Sequence, residues 1–221
     1  PARLVESELG EIPEGWEVVA VGDAVDIVKG VSYRSEDLRD SDVALVTLKS
    51  FSRGGGYRSE GLKPYIGSYK AKQEVRPGEL IVAQTDVTQA AEVIGKPALV
   101  LPDSRFRILV ASLDVLIIRP KIPDLRKEFF YLLFLTSAFQ EHIYGRTSGT
   151  TVLHLGKDGV PSFRFVRPSE QVGRTFSDLV APLFGKITNN AMESRTLAAL
   201  RDALLPNLIS GEIRVKDAER F

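Results

Sequence analysis

The sequence predicts a mixed α+β fold. A small, largely β domain with flanking helices is expected over residues 1–168, followed by one long C-terminal coiled-coil helix and a tail in residues 169–221. Three observations point there. Short runs of β-branched and aliphatic residues, bounded by Gly, Pro and Asp, recur through the first part of the chain. One apolar helical period interrupts them near residues 124–142. From Ser169 the pattern becomes continuously helical, with apolar residues at alternating spacings of three and four.

In chain order, Glu11-Ile12-Pro13-Glu14-Gly15 is a turn, and Trp16–Val21 reads as the first strand. Ala44–Leu48, Glu79–Ala83, Pro97–Leu101 and Asp114–Ile118 read as further strands, with Pro77-Gly78 turning the chain before the third. Residues 52–69 are rich in Gly, Ser, Arg and Tyr and suit an exposed loop, and Gly54-Gly55-Gly56 reads as flexible. Asp124 is placed to cap a helix running through His142. Phe130, Leu133, Phe134 and Ser137 fall on one of its faces, and Gly145 ends it. Val152–Leu155 and Ser162–Val166 are strand-like. The last helix is expected from Ser169 to about Leu208, ~57 Å at ~1.5 Å per residue. Its seam comprises Val180, Leu183, Ile187, Asn190, Ser194, Leu197, Leu200 and Leu204, a spacing suited to dimerisation. Pro182 is the position where it would kink or break.

The 221 residues carry 29 Lys+Arg and 29 Asp+Glu, and the zero net charge hides segregation. Residues 1–28 hold Arg3 against seven acidic residues, a net of −6, whereas residues 49–76 hold seven basic residues against Glu60 and Glu74, a net of +5. A local basic zone attracts polyanions whatever the total charge. With 0 Cys, thiolate metal sites, cysteine nucleophiles and disulfides are excluded. No apolar run approaches the ~20 residues of a membrane span. The first residues show no apolar leader segment, so the expected location is cytoplasmic, with no membrane partner.

Enzyme signatures are missing. No Lys follows Asp or Glu by two positions, as metal nucleases require, and no Asn precedes Pro, as an amino-methyltransferase motif requires. Gly56–Gly61 begins like a phosphate loop, but Leu62 stands where Lys is needed. The 2 histidines, His142 and His154, form no metal-binding pair, and His142 near a helix end is placed where a cation is favoured. No catalytic residue, metal or cofactor is expected.

Binding chemistry is present in three segments. Lys49, Arg53, Tyr57, Arg58, Lys63, Lys70 and Lys72 are candidates for phosphate contacts, because cations release counterions and hydroxyls bond phosphate oxygens. Gln84, Thr85, Asp86, Thr88 and Gln89 follow a strand and carry groups that match base edges. Arg146, Thr147, Ser148, Thr150 and Thr151 form a third polar loop of the same kind. Together they suggest a surface that reads a groove of double-stranded DNA.

Four stretches carry a family resemblance. Glu8-Leu9-Gly10-Glu11-Ile12-Pro13-Glu14-Gly15-Trp16-Glu17 resembles the opening of a target-recognition domain in type I restriction–modification specificity subunits. Val75-Arg76-Pro77-Gly78-Glu79-Leu80-Ile81 resembles a strand start of that domain, with Glu79 where Asp is usual. Pro168-Ser169-Glu170-Gln171 resembles its junction with the spacer helix. Leu197–Val215, with Leu204-Leu205-Pro206-Asn207-Leu208-Ile209-Ser210-Gly211 at its centre, resembles the end of that helix. The resemblance implies a non-catalytic DNA-binding subunit. Residues 1–168 would recognise the target, and the helix would dock methyltransferase subunits and, through them, the restriction subunit. The usual subunit carries two recognition domains and two spacer helices. This sequence carries one of each, which implies a half-length subunit or half of a longer one. A half-length subunit would form a homodimer through antiparallel helices and address a bipartite palindrome. Two other readings stay open on the residues: a protein-interaction adaptor without DNA binding, and a metal-dependent DNA enzyme built on dispersed carboxylates such as Asp86 and Asp114.

Overall fold

The computed structural model describes residues 3–88 and 90–213 and divides into two compact units between Val180 and Ala181. The first unit is a three-layer α+β assembly. Its central sheet orders the strands Pro97–Leu99, Leu80–Ala83, Val115–Pro120 and Val25–Lys29, all antiparallel. A second sheet orders Lys63–Pro64, Val43–Val46, Ile108–Ala111 and Glu74–Val75, with one parallel pair, Ile108–Ala111 on Val43–Val46.

Side-chain alternation explains the layering. Leu80, Val82, Leu116 and Ile118 leave one face of the central sheet and meet Phe130, Phe134, Phe139 and Ile143 from a helix pair. Ile81, Ala83, Val115 and Ile117 leave the other face and meet Ala44, Val46, Leu109 and Ala111 of the second sheet. Both faces of Leu80–Ala83 are therefore buried, which is why that strand reads as an uninterrupted apolar run in the sequence. Phe134 stacks on Phe139 at 4.3 Å between ring centroids, at the centre of the helical layer.

The helix expected over 124–142 is two helices, Lys127–Leu135 and Ser137–Tyr144. Thr136 between them has extended backbone, and its hydroxyl accepts from the Phe139 amide, capping the second helix. Asp124 is no cap. It is buried, its Oδ1 accepts from Arg167 Nη2 at 3.1 Å, and its carbonyl accepts from the Ser177 hydroxyl at 3.1 Å. Val25–Lys29 and Ile108–Ala111 are strands that the sequence reading did not single out. The long helix spans Glu170–Ser210 and passes through both Pro182 and Pro206 without ending.

The first turns of that helix belong to the first unit. Gly173, Ser177 and Val180 repeat at helical spacing and are buried. Gly173 lies against Leu125 and Asp124, and Phe176 meets Phe129 edge to face at 5.8 Å. Val180 thus continues an intrachain packing face, which removes it from the dimerisation seam predicted for it. Within the second unit the seam positions Leu183, Ile187, Leu197, Leu200 and Leu204 are exposed, Ile187 by 61% and Leu197 by 60%. Asn190 and Ser194 are exposed as well. Among the described residues no helix is long and apolar enough to cross a membrane.

Candidate nucleic-acid interface

The interface is built on a long excursion of the central sheet. Leu80–Ala83 and Pro97–Leu99 are antiparallel neighbours, and the chain between them leaves and returns at one point. The Gly95 amide donates to the Ala83 carbonyl at 2.8 Å, and the Ala83 amide donates to Lys96 at 3.2 Å, closing the base of the loop.

Asp86 organises that loop. Its side chain is only 1% exposed. One carboxylate oxygen accepts from the Thr88 amide and hydroxyl, both at 2.8 Å. The other accepts from the amides of Val93 at 2.6 Å and Ile94 at 3.1 Å. Burial alone would raise the pKa of this acid, but the bonds from Val93, Thr88 and Ile94 outweigh it and hold the pKa below the ordinary value. Ala91, in the same loop, has φ 51°, the one positive-φ non-glycine among the described residues.

This geometry corrects several base-reading candidates. The Asp86 carboxylate is fully engaged with its own loop and has no face for a cytosine amino group. Thr85 is buried, and its hydroxyl donates to Asp114 Oδ1 at 2.9 Å. The Thr88 hydroxyl donates to Asp86. All three side chains hold the loop rather than face outward. Asp114 accepts the Thr85 bond through Oδ1, and no group of three or more His, Cys, Asp or Glu able to hold a metal occurs among the described residues. Gln84 is half-buried, with its backbone bonded to Asp114 and Leu155. Gln89 lies outside the described residues.

The structure joins the other two segments to this loop. Thr85–Asp86 pairs with Leu153–Leu155, which pairs with Thr147–Ser148, a three-stranded antiparallel sheet. Its hairpin carries Arg146, Ser148, Thr150 and Thr151, all exposed. Thr147 is half-buried, and its hydroxyl donates to the Tyr144 carbonyl at 2.9 Å. Gly149, with φ 114°, brings its α-carbon so near the Val152 carbonyl that a β-carbon would collide with it. The Asp86 loop also meets the glycine triplet: the Gly54 amide donates to the Glu92 carbonyl at 3.2 Å and the Gly56 amide to the Pro97 carbonyl at 2.9 Å. Gly54, Gly55 and Gly56 all have positive φ. The triplet expected to be flexible is a pinned turn that needs glycine at each position.

The phosphate candidates separate into groups. Arg53 reaches Glu92 at 3.1 Å, so it stands at the junction with the 84–94 loop. Arg58 lies 3.9 Å from Glu60, and Lys49 is exposed nearby in sequence. Exposed pairs of this kind are worth about 0–1 kcal/mol, so a phosphate competes with them readily. Lys63 lies 5.9 Å from the centre of the Tyr33 ring. Lys70 precedes the turn Ala71–Gln73 and Lys72 lies within it, and the Gln73 side-chain amide donates to the Lys29 carbonyl. Tyr57 turns inward: its ring packs on the core between the sheets and its hydroxyl is buried, which removes it from the outward-facing set.

Four residues in or beside these segments were not among the contacts predicted from the sequence. His154 is the exposed residue between buried Leu153 and Leu155, and it lies opposite Ser148 and Thr85 in register. The alternation was visible; the partner strands were not. Val87 is 69% exposed in the loop that Asp86 orders. Lys96 is half-buried at the foot of that loop, and desolvation lowers its pKa. Lys157 is exposed just beyond the hairpin. His142 is held by a 2.9 Å contact between its Nε2 and the Gly159 carbonyl. Burial lowers its pKa against the opposing effect of that contact, which disfavours the cation that a helix end otherwise favours.

No family model matches the chain. Among curated proteins, it is 25% identical over 211 residues to the type I restriction enzyme MjaIX specificity subunit of Methanocaldococcus jannaschii, covering 94% of this chain and 46% of that one. It is 24% identical over 225 residues to the type I restriction enzyme HindI specificity subunit of Haemophilus influenzae, covering 96% and 46%. The chain thus spans about half the length of the curated relatives it matches. Among solved structures, the type I restriction–modification S subunit from M. genitalium superposes with a TM-score of 0.56 at 15% identity, covering 88% of this chain and 46% of that one. The α+β fold with its long C-terminal helix is shared with that subunit.

Proposed function

We propose, from this likeness to type I restriction enzyme specificity subunits, that the chain is a sequence-specific DNA-binding module directing modification and restriction subunits to a target. The first unit recognises duplex DNA, and the chain performs no bond-making or bond-breaking step itself. The observation that carries the reading is the convergence of three separated segments, 52–56, 84–94 and 146–155, into one hydrogen-bonded edge. This edge offers cations, hydroxyls and an imidazole beside a loop that the Asp86 carboxylate ties together.

Arg53, Arg58 and Arg146 contact phosphates beside the edge, with Lys49, Lys63, Lys70 and Lys72 extending the basic surface. Ser148, Thr150 and Thr151 face base edges. The exposed helix seam of Leu183, Ile187, Leu197, Leu200 and Leu204 pairs with a second copy, and methyltransferase subunits dock on the same helix. Exposed leucines and isoleucines in a row cost free energy in water that a partner helix recovers, at roughly 25 cal/mol per Å² buried. Two copies related by a two-fold axis address a bipartite palindrome.

The test is a salt titration on duplex DNA with the full chain. Log K is expected to fall linearly with log salt. The double variant Arg53→Glu/Arg58→Glu is expected to weaken binding to all sequences about equally and to flatten the slope. A flat titration for the wild type contradicts the reading. Light scattering at micromolar concentration tests the pairing, and a monomer there removes it.

A further inference from the structure

Among the described residues, Val87 is the one large apolar side chain exposed on an edge that otherwise presents mainly cations, hydroxyls and an imidazole. At 69% exposure it exceeds every other large hydrophobic residue between Leu4 and Tyr144. Its backbone follows Asp86 directly, and Asp86 is fixed twice over: by pairing with Leu153 and by accepting from Thr88, Val93 and Ile94. The loop therefore holds the isopropyl group outward, with few degrees of freedom, since a β-branched side chain has a restricted χ1. Holding an apolar group in water is unfavourable, and nothing in the loop turns it inward. Among the four DNA bases only thymine presents a methyl group in the major groove.

We propose that Val87 is a specificity-determining residue that packs its isopropyl group on a thymine 5-methyl group. This rests on the DNA-binding reading above and sharpens it, since it names the base feature read by one side chain. Asp86 acts as the positioning residue for that contact.

The experiment uses the full chain to enrich a site from a random duplex library, then replaces each thymine of that site singly with deoxyuridine. For the wild type, one replacement is expected to weaken binding roughly fourfold, the fold-change equivalent to ~0.8 kcal/mol for one buried methyl group. Val87→Ala is expected to bind the thymine and uracil duplexes alike at that position, with an unchanged melting temperature because the side chain is exposed. A wild type indifferent to uracil at every position overturns the proposal, as does a Val87→Ala variant that keeps the wild-type penalty. An unaltered uracil scan in Val87→Ala together with lost binding of a methyltransferase subunit also overturns it, in favour of a protein contact. If the chain enriches no duplex at all, the DNA-binding reading falls with it; if it enriches a site and the scan is flat, only Val87 falls.

Discussion

Two polar segments of this chain look alike in sequence and behave oppositely in structure. Thr85-Asp86-Val87-Thr88 and Arg146-Thr147-Ser148-Gly149-Thr150-Thr151 each bring hydroxyls and a charge to the end of a strand. In the first, the polar atoms turn inward and bond to the loop and to Asp114, while the apolar Val87 is left outside. In the second, Arg146, Ser148, Thr150 and Thr151 are exposed. The difference lies in backbone demand. An excursion from a central sheet strand leaves amides such as those of Val93 and Ile94 without ladder partners, and a buried carboxylate satisfies them. A tight hairpin satisfies its own amides and leaves side chains for other work. Polar composition alone does not tell side chains that face outward from those that serve the backbone; the unmet backbone donors beside them do.

The largest expected effect breaks the first segment. Asp86→Ala leaves three amides and a hydroxyl without their acceptor and is expected to cost about 3 kcal/mol in urea unfolding. Arg146→Ala or Thr151→Ala is expected to change stability by no more than about 0.5 kcal/mol. Equal losses in the two segments would erase the distinction. The Asp86 contribution also has a pH signature. Because the folded pKa lies below the ordinary 3.8, the stabilisation is fully present above 3.8 and is lost as pH falls through it towards the folded value. Wild type and Asp86→Asn are expected to converge in stability at the acid end of a pH series, and parallel curves would contradict this.

Binding reverses the ranking. Arg146→Glu is expected to weaken duplex binding about tenfold on any sequence, equivalent to ~1.4 kcal/mol, with unfolding unchanged. Thr85→Val is expected to cost about 1 kcal/mol of stability through the lost bond to Asp114 while leaving affinity within about twofold. A strong affinity loss from Thr85→Val would return that hydroxyl to the reading surface. The smallest expected effect is at His142, below the hairpin: its NMR titration midpoint should lie under 6.5, and a midpoint above 6.5 would mean that the contact with Gly159 outweighs burial.

The scaffold was readable where burial imposes a period. Leu80–Ala83 and Val115–Pro120 show as apolar runs because both faces of the central sheet are covered, and the long helix shows because its pattern never breaks. Val25–Lys29, an edge strand with Asp26 and Lys29 turned to water, carries no such run. The helix pair reads as one helix because Thr136 is both a helix-compatible letter and the cap of the next helix. In the interface, the three segments were legible singly from cations and hydroxyls. Their joining was not, since it depends on backbone bonds such as Gly54 to Glu92 and on the pairing of Asp86 with Leu153. Nor was the inward turn of Tyr57, Thr85, Asp86 and Thr88, because a side chain's partner is set by tertiary contacts.

The central claim is that the joined edge reads sequence and does not merely attract polyanions. Fluorescence anisotropy at physiological salt, comparing a duplex enriched by the full chain with a scrambled duplex of the same composition, tests it most directly. Binding to the enriched duplex at least ~10³-fold tighter is the expected result. Equal affinity for the two duplexes would reduce the edge to a basic patch and contradict the account.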